Sequence, residues 1–526
     1  MSHHIPSSAL CGIDAVPVFV QIDSNPGLHS FTVVGLGDKA VQESIERIDA
    51  AIKHSGFASP RSKNRRFIIN LAPADLKKEG PGYDLPMAIA FLVETKQVSL
   101  QNPLPIMIGE LGLDGVLAHT NGVLAATLLA KEQGFPAILV PSCNFVEASM
   151  VPDITIFAAD SLAHAITFIG TPIGDTKVPV VSPGANLAPG SDSVTPRGDT
   201  LTPGDRTVAL DDSFAYIQGQ NTAKRALIIA AAGGHNVLMT GAPGSGKTLL
   251  ARSITGLLPA LAIDEAIEVA KIRSAAGILR GGITSLRRPF CSPHHTSSPA
   301  ALIGGGSLIR PGQISLSHRG VLFLDEMPEF ARNVLEALRQ PLEDGIVTVS
   351  RASGTLTLPA KFMLIGAMNP CPCGNSGDPL SECTCSLAAI TKYQKKISGP
   401  LLDRMDLHIQ VSREPVGTAH SVDTASLINA RQSVALARSI QAKRYTGTNL
   451  ITNSEISHKN IDQFCSLDAA ASNLLTELVN KRNLSLRAFH KIKKVARTIA
   501  DLEEAQQITS AHVAEAVAFR MTELAS

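Results

Sequence analysis

The chain has 526 residues, with 47 Lys and Arg against 46 Asp and Glu, 8 Cys, 17 Phe, 4 Tyr and no Trp. Such a length accommodates about three domains of ordinary size, and 44% hydrophobic with 18% charged residues excludes both a disordered chain and a highly charged coiled coil. A formal net charge of +1 excludes nucleic-acid binding through bulk cationic charge, so any such binding must come from local clusters.

The first ten residues, MSHHIPSSAL, lack a long apolar core and a cleavage site, so no signal peptide is expected. Mean hydropathy is +0.15. The most apolar stretch, Arg225 to Gly241, is nevertheless broken by Gly233, Gly234, His235 and Asn236 and reads as a helix, a turn and a buried strand, not a membrane span. A cytoplasmic protein with no membrane contact is expected. Residues 1–170 mix strand-length apolar runs (Val16 to Ile22, Phe31 to Leu36, Arg66 to Leu71, Ala137 to Val140) with helical patterns (Lys39 to Lys53, Leu85 to Thr95, Val123 to Gln133), which predicts an α/β or α+β domain. Residues 171–205 are dense in Pro, Gly, Ser, Thr and Asp without periodicity. They read as a flexible linker, the alternative being an ordered surface loop of uncommon length. Residues 206–425 run strand, Gly-rich loop, helix, long insertion and a second apolar strand, the order of a parallel nucleotide-binding sheet. From 426 to 526 strand signals vanish and helices dominate, as expected of a helical lid.

The strongest motif is Gly241, Ala242, Pro243, Gly244, Ser245, Gly246, Lys247, Thr248, which fits G-x-x-x-x-G-K-[ST] between a strand and a helix. Glycines let backbone N–H groups converge on phosphate oxygens, and the following helix N-terminus adds favourable potential. Lys247 is placed to reach the terminal phosphates and the Thr248 hydroxyl to ligate magnesium. Downstream, Gly320-Val-Leu-Phe-Leu-Asp325-Glu326 delivers two carboxylates at the end of a buried strand, where ligands of open α/β sheets bind. Asp325 then holds magnesium and Glu326 polarises the attacking water. A bare strand ending in Asp-Glu is often structural; the phosphate loop upstream makes the catalytic reading strong. The run Phe362 to Ala367 leads to Asn369, an amide able to orient the same water, though Asn before Pro is commonly a turn starter. Arg404 and Arg487 lie in apolar surroundings, where an arginine is more often an ion-pair partner than a catalytic group.

Together these residues resemble the AAA+ superfamily, and most closely the ComM (YifB) subfamily of magnesium-chelatase-like ATPases. The resemblance runs through VVGLGDKAVQES (Val33 to Ser44), INLAPADLKKEGPGYDLPMAIA (Ile69 to Ala90), GQNTAKRALIIAAAGGHNVLMTGAPGSGKT (Gly219 to Thr248), PHHTSSPAALIGGGS (Pro293 to Ser307), PGQISLSHRGVLFLDE (Pro311 to Glu326), LRQPLEDG (Leu338 to Gly345), NPCPCG (Asn369 to Gly374), SGPLLDRMD (Ser398 to Asp406) and ARTIADLE (Ala496 to Glu503). It implies that Lys247 and Thr248 belong to a Walker A loop and Asp325 and Glu326 to Walker B, with Asn369 as sensor 1, Arg404 as arginine finger and Arg487 as sensor 2. It also implies a homo-oligomeric ring, usually hexameric, with ATP between subunits, and an association with DNA and branch migration in natural transformation. Gln313 departs from the Glu usual in the subfamily; it is placed in a loop near the pore, away from the phosphates.

Residues 1–170 resemble the proteolytic domain of Lon, but the aligned nucleophile and lysine positions hold Gly82 and Leu124, which offer neither hydroxyl nor base. Lys131 and Ser142 give no evident replacement dyad, so an inactive binding or assembly domain is expected, not a protease. Cys371, Cys373, Cys383 and Cys385 form C-x-C-x9-C-x-C, a set able to close a tetrahedral structural zinc site, although the pairs are tighter than C-x2–4-C; free loop thiols are the alternative, and the ComM resemblance favours zinc. Basic clusters at Arg61 to Arg66, Lys271 to Arg288 and Lys481 to Arg497 are candidates for phosphate contacts, against the plainer reading of solvated surface. Ile346 to Phe362 reads as a β-hairpin with Arg351 near its tip, which by resemblance faces the pore. His294 and His295 are assigned a structural or pore-loop role. The expectation is an ATP-driven AAA+ ring acting on single-stranded or branched DNA; the alternative is a magnesium-chelatase-type ATPase that remodels a protein partner.

Overall fold

A computed structural model describes residues 4–170, 212–279, 286–305, 310–351, 354–377, 381–413, 422–482 and 485–520, apart from positions 29, 36, 38, 63, 77, 79, 101 and 102. The linker expected at 171–205 lies outside the described residues. The chain divides into two compact units, Met1–Gly204 with Ile263–Ser285, and Asp205–Ala262 with Leu286–Ser526.

The first unit is α/β, as its mixed pattern predicts. Strands His4–Cys11, Asp14–Pro26, Arg65–Ala72 and Ser30–Val34 form a four-stranded sheet in that order, with only the last pair parallel. Alternation in RRFIINLA turns Phe67, Ile69 and Leu71 inward, where Phe67 meets Phe91 edge-on at 5.0 Å. The helix Asp84–Glu94 is buried from Asp84 to Val93, which explains its almost wholly apolar sequence. A second, parallel sheet orders Ile106–Met107, Ala137–Pro141 and Thr155–Ala159.

The helix Ile263–Ala275 departs from the expected boundaries. Its residues fall within the span assigned to the 206–425 core, yet they group with the first unit. Ala270 and Leu279 pack against Leu124 and Val151. The buried Glu147 carboxylate accepts from the Ser274 hydroxyl (2.6 Å) and from the Leu124 backbone (3.0 Å), while Gly122 N–H donates to Ser274 Oγ (3.1 Å). Buried polar groups satisfied this way fix the helix, because leaving any of them unpaired costs about 1–3 kcal/mol.

The second unit is built on a five-stranded parallel sheet: β1 Val237–Gly241, β2 Phe290–Cys291, β3 Val321–Leu324, β4 Met363–Met368 and β5 Leu407–Val411. Their spatial order is β2-β3-β4-β1-β5. β3 and β4 are buried at every position, so they read in sequence as unbroken apolar runs. The excursion to residues 263–285 leaves and re-enters beside a backbone bond from Leu261 N to Leu286 O (2.8 Å). Strands Ile346–Arg351 and Gly354–Pro359 pair antiparallel from Ile346↔Pro359 to Arg351↔Gly354, the hairpin expected there. From residue 424 onward the described elements are helical, led by Thr424–Arg444, Ala469–Arg482, Leu486–Leu502 and Ser510–Ala518. Ile492, Val495, Ala496 and Ile499 form the inward stripe of Leu486–Leu502 and share one core with β1, β4 and β5. Among the described residues, no helix is long and apolar enough to cross a membrane.

Candidate nucleotide site

The loop Gly241–Thr248 connects β1 to the helix Lys247–Ser253. Gly246 caps that helix at φ +91°, a conformation that disfavours side chains and turns successive backbone N–H groups toward one concavity. The buried Lys247 ammonium donates to Gly241 O (2.7 Å), Ala242 O (2.9 Å) and Asn369 Oδ1 (3.3 Å). Burial holds its pKa below the ordinary lysine value, with Asp325 and Glu326 pulling it back up. The buried Ser245 hydroxyl has no partner among the described residues. A loop whose ammonium rests on its own carbonyls and whose hydroxyl is unsatisfied fits an anionic phosphate chain, which would take both.

Asp325 and Glu326 follow β3 directly. The Thr248 hydroxyl donates to Asp325 Oδ2 (2.7 Å), and Glu326 N–H donates to Asp325 Oδ1 (3.0 Å). Two hard oxygen donors side by side suit a magnesium ion. Glu326 has φ +49°, costing about 1 kcal/mol for a residue with a side chain, and its carboxylate is 57% exposed. His295 Nδ1 lies 3.7 Å from Glu326 Oε2. Sequence position alone does not bring the His pair, expected to be structural or pore-lining, to Glu326; the fold does. Arg413, also missed, donates twice to Pro243 O (2.8 and 3.2 Å) and ties β5 to the loop.

β3, β4 and β1 are consecutive in the sheet, so their C-terminal ends bring Asp325, Glu326, Asn369 and Lys247 together. Arg404 and Arg487 are found elsewhere in the unit. Arg404, 7% exposed, forms an ion pair with Glu343 Oε1 and donates Nη1 to Pro400 O (2.6 Å), while its buried Nε has no partner among the described residues. Arg487 Nη2 meets the same Glu343 oxygen at 2.5 Å. The two guanidinium groups hold the Glu343 carboxyl below its ordinary pKa, Arg404 most strongly. Nothing in the sequence signalled Glu343 as their meeting point.

Cys371, Cys373, Cys383 and Cys385 converge, with all four sulfurs within 4.8 Å of one another. Cys371 Sγ lies 3.3 Å from Cys373 Sγ and 3.6 Å from Cys383 Sγ, and Cys373 and Cys383 are also 3.6 Å apart. A disulfide would need about 2.05 Å. Tetrahedral zinc, with Zn–S bonds of about 2.3 Å, separates its sulfurs by about 3.8 Å, so the donor set is compatible with zinc. The backbone N–H of Asn375 and the neighbouring Cys371 thiol lower Cys373 to about 6, while, against the Cys385 backbone N–H, burial and the Cys373 and Cys371 thiols push Cys383 up to about 12, so the four thiols do not ionise together without a cation to share.

Comparison with known proteins agrees with this geometry. Residues 213–419 match the family described as magnesium chelatase, subunit ChlI; residues 20–144 match subunit ChlI of Mg-chelatase, and 425–520 its C-terminal region. The chain is 39% identical to the competence protein ComM of Haemophilus influenzae over 517 residues, covering 98% of this chain and 96% of that one. The chain belongs to the ComM and YifB family of magnesium-chelatase-like AAA+ proteins. Against YifB of Escherichia coli it is 38% identical over 520 residues, 98% of this chain and 96% of the relative. Similarity to the magnesium-chelatase 67 kDa subunit of Chlorobaculum parvum is narrower: 27% over 164 residues, 30% of this chain and 23% of that one.

Within this ComM-family chain, two further expectations meet the structure. Gly82 and Leu124, where the Lon resemblance would put a dyad, occupy packing positions: Leu124 is fully buried, and a Cβ on Gly82 would approach Thr120 Cγ2 to 3.2 Å. Lys131 pairs with Asp153 (3.3 Å). Of the basic cluster Lys481 to Arg497, Lys481 and Arg487 stay exposed, whereas three other cations are drawn into ion pairs. Lys491 is buried against Asp406 (2.5 Å), Lys493 against Asp462 (2.6 Å) and Arg497 against Asp501 (3.0 Å), because desolvated cations must be paired.

Proposed function

We propose that this chain is an ATP-hydrolysing ring motor that acts on single-stranded or branched DNA, as a branch-migration helicase of natural transformation or recombination. The observation that carries the hydrolytic part is the assembly of Lys247, Thr248, Asp325, Glu326 and Asn369 at the C-terminal ends of three adjacent parallel strands. In this reading the loop Gly241 to Thr248 receives the phosphates, with Lys247 moving from the loop carbonyls to the terminal oxygens. Thr248 and Asp325 would hold magnesium, whose charge offsets that of the phosphate oxygens. Glu326 polarises the attacking water and Asn369 orients it. Arg404, released from Glu343, would serve as the arginine finger for the nucleotide of a neighbouring copy and Arg487 as the sensor 2 arginine, which makes a closed homo-oligomer, taken as hexameric, the working unit.

The DNA part rests on the name of the H. influenzae relative, a competence protein, and on the paired hairpin Ile346–Arg351 and Gly354–Pro359, which by family resemblance would face a ring pore. The first unit is a Lon-like assembly or binding domain without protease chemistry, since Gly82 and Leu124 replace the dyad. The four-Cys cluster holds a structural zinc, residues 426–526 act as a helical lid, and the protein works in the cytoplasm. The match of residues 213–419 to a magnesium-chelatase subunit favours a second reading, an ATPase that remodels a protein partner. ATP turnover measured with and without single-stranded and four-way-junction DNA separates the two. Stimulation, greatest with the junction, supports the DNA motor; a DNA-indifferent rate supports the second reading.

A further inference from the structure

The four-Cys cluster does not stand apart from the phosphate site. Its first cysteine follows Asn369 by two residues, and Asn369 is the group that accepts from Lys247 Nζ at 3.3 Å. Three residues beyond Cys371, Gly374 lies against the phosphate loop itself: a Cβ built there would sit 2.5 Å from Pro243 Cδ and 2.7 Å from Pro243 Cγ. Gly374 also has φ +86°, so both its backbone and its surroundings demand glycine. Cys371 is fully buried and accepts from Ser376 N–H (3.3 Å), and Gly374 N–H bonds Cys371 O (3.0 Å), which makes the knuckle one tight turn. Gln394 donates to Pro370 O (3.1 Å), closing the turn from the other side. Pro243 is therefore clamped between Gly374 on one face and the Arg413 guanidinium on its carbonyl.

We infer that the metal-loaded four-cysteine knuckle braces the phosphate loop, so that occupancy of the cysteine site sets affinity for nucleotide. The inference rests on the readings of the loop as an ATP site and of the cysteines as a zinc site. One ion holding the four sulfurs would fix the turn 371–377, and that turn fixes Pro243 and Asn369 at their observed places. Loading replaces the thiol protons with metal, which restrains two loops of the chain at once. Without the ion, nothing ties the four sulfurs together, so the knuckle relaxes and the loop spends less time in the arrangement that accepts phosphates. If that arrangement is populated one-tenth of the time, apparent affinity falls about tenfold.

The test uses the full chain in three forms: metal-loaded, metal-stripped, and loaded Gly374→Ala. Cobalt substitution reports thiolate ligation through its charge-transfer band, and a fluorescent non-hydrolysable ATP analogue reports Kd. The expected results are a cobalt band in wild type and Gly374→Ala alike, with the analogue bound about tenfold more weakly by the stripped protein and by the variant. Gly374→Ala keeps the argument open to refutation should stripping unfold the chain, because its added methyl pushes Pro243 off the knuckle while the metal stays. No cobalt band overturns the inference and leaves the ATP reading standing. A band with equal Kd in all three forms overturns it as well. Failure of loaded wild type to bind the analogue sinks the ATP reading, and the inference with it.

Discussion

Asp406→Asn is the perturbation whose cost the structure specifies best. The Asp406 carboxylate is 8% exposed; it accepts from Lys491 Nζ at 2.5 Å and from Asn236 N–H at 2.9 Å, and His235 Nδ1 lies 3.7 Å away. Burial alone would raise its pKa, but Lys491 and His235 outweigh burial and hold it well below the carboxylate range. At the Lys491 separation the pair attraction is about 7 kcal/mol at an effective dielectric near 20, against a desolvation cost of several kcal/mol for each ion. Asparagine keeps the shape and the bond to Asn236 but leaves Lys491 buried with no counter-charge, a change that costs about 3 kcal/mol. Urea unfolding at pH 7, followed by circular dichroism, should show that loss, and Asp406→Asn with Lys491→Met should recover most of it. A folded pKa depressed below the unfolded value contributes stability above the unfolded pKa and loses it as pH falls. The gap between wild type and Asp406→Asn should therefore be flat from pH 8 to 5 and narrow below about pH 4. A loss under about 1 kcal/mol, or a double variant no better than the single one, would refute the reasoning.

Three further outcomes follow from the same geometry. Arg47→Ala strands the fully buried Asp84 carboxylate, which now accepts from Arg47 Nε at 2.9 Å, so the first unit should lose about 2–3 kcal/mol in a denaturant melt; an unchanged midpoint would contradict the pairing. Glu326→Gln should keep nucleotide affinity while lowering turnover by about a hundredfold or more, whereas Lys247→Ala should lose binding in an equilibrium titration; turnover in Lys247→Ala would discard the phosphate-site assignment. If Arg404 serves a neighbour's nucleotide, an equal mixture of inactive Lys247→Ala and inactive Arg404→Ala should regain about a quarter of the wild-type rate, the share of correctly ordered neighbours in a head-to-tail ring. No recovery would place Arg404 in its own subunit's chemistry or outside catalysis.

The elements that could be read in the sequence are those whose pattern states their surroundings. β3 and β4 are continuous apolar runs because parallel strands are covered on both faces, and the glycine positions of the phosphate loop follow from its backbone. The strand His4–Cys11 gave little signal, since Pro6, Ser7 and Ser8 are poor strand markers; its eight-residue pairing with Asp14–Pro26 decides it. Amphipathic periodicity shows that the helix Ile263–Ala275 has an apolar face but not which core receives it. The same gap explains Glu343, His295 and Arg413, whose partners are set by tertiary approach, and Lys491 and Lys493, whose carboxylates come from distant segments. The cysteines were legible as a donor set, whereas the contact of Gly374 with Pro243 was not.

The central claim, that ATP turnover in this chain drives movement on DNA, is tested most directly by strand release from a labelled four-way junction with ATP and magnesium, with Glu326→Gln as the blank. The account predicts ATP-dependent conversion of the junction to duplex products by wild type and none by Glu326→Gln. A junction left intact by a wild-type protein that hydrolyses ATP at full rate would contradict it.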